Sequence, residues 1–193
     1  MMRIITALAL VGLAATAQAE PWPANVVEAS VAGNDAAAVQ AAISANVGSY
    51  KTLSIPCGTY AGTTEVAYKV GGLWMGGLTL NGEAQDCTIL RLLPGSPGFG
   101  DPNAPRSFLS SGTIGNDGKP TASAIGNAGF KNNVHDMTID CRGNPGARCM
   151  DWLGNNQGLV ERVRVQSDGA AGIFGAAGCA SWAVSGWSQR SGS

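Results

Sequence analysis

Val134-His135-Asp136-Met137-Thr138-Ile139-Asp140-Cys141 and, 26 residues later, Val160-Glu161-Arg162-Val163-Arg164-Val165-Gln166 carry the same pattern. Apolar residues alternate with polar ones, the period of two at which successive side chains leave a strand on opposite faces. Earlier in the chain Leu53-Ser54-Ile55 and Leu78-Thr79-Leu80 repeat the motif 25 residues apart. A recurrence of this length is the period of a solenoid, in which stacked strands bury one continuous core. Sliding by 26 places Met137 over Val163 and Ile139 over Val165, and sets Asp136 beside Arg162, Thr138 beside Arg164 and Asp140 beside Gln166. Strict alternation then turns Met137, Ile139 and Cys141 inward and Asp136, Thr138 and Asp140 outward. By the same parity His135, the single histidine, points inward as a core or strand-end residue.

The first nineteen residues read as an export signal. Arg3 is a short basic region, Ile4 to Ala15 an apolar run, and Ala17-Gln18-Ala19 a small-x-small cleavage site, so the mature chain starts at Glu20. The apolar run is short for a bilayer span. The expectation is a soluble secreted or periplasmic protein with no membrane contact after cleavage; an uncleaved anchor is the alternative. Residues 20–193 suffice for one domain, expected as a monomer. Losing Arg3 changes 12 basic and 13 acidic residues to 11 and 13, a net charge of −2. No basic stripe is present, which removes nucleic acid as a partner. Five cysteines lie in the exported part, with no CxxC spacing. The expected pairs are Cys57 with Cys87 and Cys141 with Cys149, leaving Cys179 free; buried thiols are the alternative.

Asn34 can cap a helix over residues 34–48, with Asp35 in its first turn, Ala36, Val39, Ala42 and Ile43 on one face, and Gly48 as its stop. Such a helix ahead of a strand series covers the open end of a solenoid core. Tyr50 to Ile55 is a strand, followed by a turn at Pro56-Cys57-Gly58. Leu78 to Leu80 is the next, with a turn at Asn81-Gly82 and a further strand over Thr88 to Leu92. Residues 94–120 hold five prolines and read as a long loop excursion. Residues 179–193, with Trp182 and Trp187, fit no coil.

The stretches Asn34 to Ile43, Leu53-Ser54-Ile55-Pro56-Cys57-Gly58-Thr59-Tyr60, Leu78-Thr79-Leu80-Asn81-Gly82 and Asp86-Cys87-Thr88-Ile89-Leu90 resemble the pectate lyase-like superfamily, including its rhamnogalacturonase and epimerase-like amino-terminal domains. They are similar to the family's capping helix, its strand ending in a proline-glycine-tyrosine turn, and its next coil. Val134 to Asn144 and Gly158 to Gly172 resemble later coils. The resemblance implies an all-β, right-handed parallel β-helix with an amino-terminal capping helix, covering residues 30 to 178. It also implies a polysaccharide substrate, while family members include lyases, hydrolases, epimerase-like enzymes and non-catalytic adhesins. Complete enzymes of the family run through many more coils, so a truncated or frame-shifted solenoid is the expectation here.

Elimination at a uronate needs the substrate carboxylate neutralised and a base to take the ring proton. Carboxylates that hold Ca²⁺ and a desolvated Arg can do these two jobs. Asp136, Asp140, Arg162 and Arg164 offer both residue types on adjacent coils, so they are the candidate catalytic residues, with Asp136 and Asp140 as Ca²⁺ ligands. The competing reading is a set of cross-strand ion pairs on a solvated face. Hydrolysis needs two carboxylates flanking the bond; Asp136 and Asp140, four apart on one strand and roughly 13 Å apart, do not fit. Asp140 with Asp151 or Asp168 stays open. Trp74 and Trp152 can stack on sugars if exposed, or lie buried. The expected function is a polysaccharide lyase of the pectin and uronate type; a hydrolase of the same fold or a non-catalytic surface binder are the alternatives.

Overall fold

The computed structural model describes residues 26–28, 35–112, 130–152, 158–174 and 184–190. The export signal, Asn34 and Cys179 lie outside them. Helix α1 (Ala36–Asn46) is capped by Asp35, whose extended backbone lets its carboxylate accept from the Ala37 N–H at 2.8 Å. Ala36, Val39 and Ile43 are its buried face. The helix stops before Gly48, whose φ of +86° is a left-handed conformation that a residue without a Cβ adopts without steric cost.

Six strands form the long sheet A in the order β1 (Val26–Glu28), β2 (Lys51–Ile55), β7 (Leu78–Gly82), β10 (Asn132–Asp140), β12 (Leu159–Ser167) and β14 (Val184–Arg190). Beside it β3 (Gly58–Gly62) pairs with β8 (Thr88–Leu92), and β8 pairs with the second half of β10. Sheet B runs β4 (Val66–Ala67), β9 (Arg106–Ser110), β11 (Ala147–Asp151) and β13 (Ala171–Phe174). Every pairing in both sheets is parallel; only the small β5 (Lys69–Val70) and β6 (Leu73–Trp74) pair is antiparallel. Among the described residues the structure is therefore all-β apart from one helix, and from β2 onward the chain passes repeatedly from sheet A to sheet B and back.

Like residues stack inside. Leu53, Leu80, Val134 and Val160 form one row, Tyr60, Leu90, Ile139 and Val165 a second, and Val66, Leu109, Met150 and Ile173 a third. Each fully buried side chain contributes about 1.5–3 kcal/mol, more than an exposed ion pair at about 0–1 kcal/mol. The Tyr68 hydroxyl donates to the Asn133 carbonyl at 2.9 Å and so ties the segment after β4 to sheet A. The helix completes the free edge of β4: the Gln40 carboxamide accepts from Ala67 N–H at 2.6 Å and donates to Ala67 C=O at 3.0 Å. An amide paired this way stands in for a neighbouring strand and covers an edge that would otherwise recruit one. Both expected disulfides are present, Cys57–Cys87 and Cys141–Cys149. In the chain-entropy picture they are worth on the order of 2.5–3.5 kcal/mol each.

Several expectations need correction. Leu53 pairs with Leu80, 27 residues on, and not with Leu78. Asn81 and Gly82 belong to β7, and the turn follows them. Gly82 is required because a Cβ there would stand 2.2 Å from the Asp136 carbonyl oxygen, one strand away. The proline-rich excursion contains β9, whose Phe108 and Leu109 are fully buried. The tail carries β14, which extends sheet A beyond β12. His135 does not face the core. Asp136 and Arg162 adopt left-handed φ of +54° and +50°, which turns each strand by an extra residue. Val134 and Met137 therefore both face inward, and His135 and Asp136 lie outside between them.

Gly82→Ala should cost about 1–3 kcal/mol, because backbone must move to admit the methyl group. Gly100→Ala, where the added carbon meets nothing within 4 Å, should change stability by less than about 0.5 kcal/mol. Urea unfolding of the two variants checks the contrast; equal midpoints would contradict the register.

Candidate functional site

The corner residues Asp136 and Arg162 face each other across β10 and β12. Arg162 donates from Nε to Asp136 Oδ1 at 2.5 Å and from Nη2 to Oδ2 at 2.8 Å, and also pairs with Glu161. The fork occupies both carboxylate oxygens, and its hydrogen bonds hold Asp136 below the usual carboxylate range. Asp140 lies further along β10, and only 4% of its side chain is exposed. Its Oδ1 accepts from Arg142 Nε at 2.9 Å and the Arg142 N–H at 3.2 Å; its Oδ2 accepts from Arg142 Nη2 at 2.8 Å and Arg91 Nε at 3.1 Å. Burial alone would raise this carboxyl, but the Arg142 hydrogen bonds and the two guanidinium charges outweigh it and bring it below its ordinary value. Arg164 sits beside Thr138, as expected, and engages Asp86 at 2.8 Å and Gln85 at 3.3 Å.

The four residues of the stripe thus divide into three separate groups, each already neutralised. Ca²⁺ asks for six to eight oxygen ligands. Here it would have to displace Arg162 from Asp136 and two guanidinium groups from Asp140, so these residues do not fit the ion. Among the described residues no group of three or more His, Cys, Asp or Glu side chains is placed to hold a metal. His135 Nδ1 lies 3.5 Å from Glu161 Oε2, and partial burial lowers its pKa against the raising effect of that carboxylate. Asp168 is exposed and accepts from the Gly143 N–H at 2.9 Å on both oxygens. Trp74 and Trp152 are each 6% exposed, too buried to stack on a sugar.

A different cluster forms on sheet B. Phe108 and Leu109 on β9 both enter the core, as do Cys149 and Met150 on β11. Two consecutive inward residues break the alternation, and the polar residues on either side are drawn together. Ser107 donates to Asp151 Oδ2 at 2.6 Å across strands whose register pairs Ser110 with Asp151. Ser110 in turn donates to Glu65 Oε1 at 2.9 Å, while Lys69 lies 3.4 Å from Glu65 Oε2. The Arg148 guanidinium stacks on Phe174 at 3.9 Å. Asp151 is fully buried, and its Oδ1 has no hydrogen-bond partner. Burial pushes its pKa up to about 6; Ser107 and Arg148 pull it down and Glu65 pushes it further up. Two carboxylates therefore flank β9, one of them keeping its proton up to about pH 6.

Asp151 was within reach of sequence reasoning, but Glu65, Ser107, Ser110 and Arg148 were not. The available signal is a repeated polar-apolar-apolar-polar unit, Ser107-Phe108-Leu109-Ser110 and Arg148-Cys149-Met150-Asp151.

No protein-family model, curated protein or solved structure matches the chain.

The raised pKa of Asp151 fixes the sign of a pH effect. The folded state holds this proton more tightly than the unfolded chain, so the associated stability is full below about pH 3.8 and is lost as pH rises through about 6. The shift from 3.8 to about 6 corresponds to about 3 kcal/mol. Asp151→Asn should therefore gain about that much relative to the parent protein between about pH 4 and 7 in urea unfolding. A difference that does not vary with pH would show that Asp151 titrates normally.

Proposed function

We propose that the protein is an exported, monomeric, right-handed parallel β-helix that acts on acidic polysaccharide, and that glycosidic hydrolysis is the reaction its carboxylates suit best. The solenoid reading is supported by the passage of parallel strands between two sheets, and by α1, β2, β3, β7 and β8 falling on the stretches that resemble the pectate lyase-like superfamily. Right-handedness follows the general rule for parallel crossovers. Two disulfides suit an oxidising compartment.

The observation that carries the reaction is the Asp151 carboxyl, buried, partnerless on one oxygen and raised to about 6, with Glu65 on the far side of β9. An inverting hydrolase needs a protonated acid and an ionised base about 6.5–9.5 Å apart, whereas a retaining one needs about 5–5.5 Å. Strands β4 and β11 are separated by two strand spacings, about 9–10 Å, and Glu65 immediately precedes β4. In this reading Asp151 gives its proton to the glycosidic oxygen as the bond breaks. Glu65 takes a proton from the attacking water, whose hydroxyl joins the anomeric carbon. Substrate must uncover Asp151 to reach it. Elimination by Arg162 or Arg164 is less well supported, because both guanidinium groups are engaged by carboxylates. The complete burial of Asp151 favours a second reading, a carbohydrate-binding module without catalysis.

Reducing-end release from polygalacturonate and other acidic polysaccharides separates these. Hydrolysis should proceed without unsaturated product, tolerate a calcium chelator, decline above about pH 6, and drop by about 10²–10⁴ in Asp151→Asn and Glu65→Gln. Calcium-dependent formation of unsaturated product would restore the lyase reading, and binding without turnover would favour the module.

A further inference from the structure

Three strands of sheet A are entered through left-handed residues at one level: Tyr50 (φ +60°) before β2, Gly77 (φ +77°) before β7 and Lys131 (φ +54°) before β10. Backbone hydrogen bonds join the rungs, from Tyr50 N–H to Gly77 C=O and from Gly77 N–H to Phe130 C=O, each 2.7 Å. The middle rung has no side chain. The result is a notch floored by Gly77, Leu78 and Thr79, with the Tyr50 ring on one side and Lys131 on the other. A Cβ on Gly77 would come within 3.0 Å of the Tyr50 ring, so any larger residue there would intrude on it.

Tyr50 is 60% exposed, unlike Trp74 and Trp152. Its ring divides two hollows, a polar one of about 280 Å³ that includes Thr79, Lys131 and Asn133, and one of about 400 Å³ that includes Met75 and Phe130. The Lys131 ammonium stands 5.6 Å from the ring centre. Beside it the Asn133 amide donates to the Thr79 hydroxyl at 3.0 Å, while its Oδ1 is buried without a partner. An unmet acceptor, a cation and an exposed aromatic face around one hollow ask for a ligand with hydroxyl donors, a negative charge and a flat apolar face. A hollow near the lower end of ligand-pocket sizes, about 300 Å³, suits one ring.

We infer that this notch binds an acidic pyranose, its ring against Tyr50, its carboxylate on Lys131 and a hydroxyl on Asn133 Oδ1, which a turn of that amide uncovers. The site shares a ligand class with the proposed hydrolysis but none of its residues, so either can fail alone.

The probe is trigalacturonate, titrated into the full-length protein and followed by amide NMR shifts, with maltotriose as the neutral comparison. Saturable shifts should appear at Gly77, Thr79 and Asn133. Tyr50→Asn, which keeps a residue tolerant of left-handed backbone, should weaken binding about tenfold, and Tyr50→Trp should retain it. Lys131→Gln should weaken trigalacturonate about tenfold and leave maltotriose unchanged. Absence of shifts at these amides, or affinity unmoved in both Tyr50→Asn and Lys131→Gln, would overturn the site. Shifts gathered instead around Glu65 and Ser110 would overturn it while favouring the hydrolase reading.

Discussion

Left-handed corners that coincide from strand to strand are the constraint on which the rest depends. The strands of sheet A are kept in register where their backbones turn at the same level, as Tyr50, Gly77 and Lys131 do at the strand entrances. Asp136 and Arg162 repeat the device within β10 and β12. A left-handed conformation costs a residue with a Cβ roughly 1–2 kcal/mol. The buried rows on either side, each adding more than that per residue, hold the corners in place.

The corners also sort the charges. At Asp136 the turn places a carboxylate directly beside Arg162 on the adjacent strand, and along the same strand Asp140 meets Arg91 and Arg142. These carboxylates are neutralised by neighbours and serve the stack. On sheet B two paired apolar residues shift the alternation instead, and Asp151 is left buried with only a serine and a more distant Arg148 to favour its charge. One fold thus makes structural carboxylates on one face and a proton-retaining one on another.

Much of the architecture was legible in the alternation of Val134–Cys141 and Val160–Gln166, because a period of two and a fixed repeat leave few ways to stack a core. The 26-residue register and both disulfide pairs follow from it or agree with it. What was not legible are the points where backbone leaves the ideal strand. Strict parity turned His135 inward because nothing in Asp136 announces a positive φ, and the prolines around β9 concealed two core residues, Phe108 and Leu109. Opposite charges one repeat apart look like chemistry in a sequence, yet in the fold they satisfy each other, whereas the placement of Glu65 and Asp151 on either side of β9 depends on a break in alternation.

The most direct measurement is a carbon-detected NMR titration of the aspartate side-chain carboxyls. The account predicts that Asp151 titrates near 6 while Asp136 and Asp140 stay ionised to below their ordinary value of 3.8. An Asp151 midpoint at or below 3.8, alongside the other two, would contradict it.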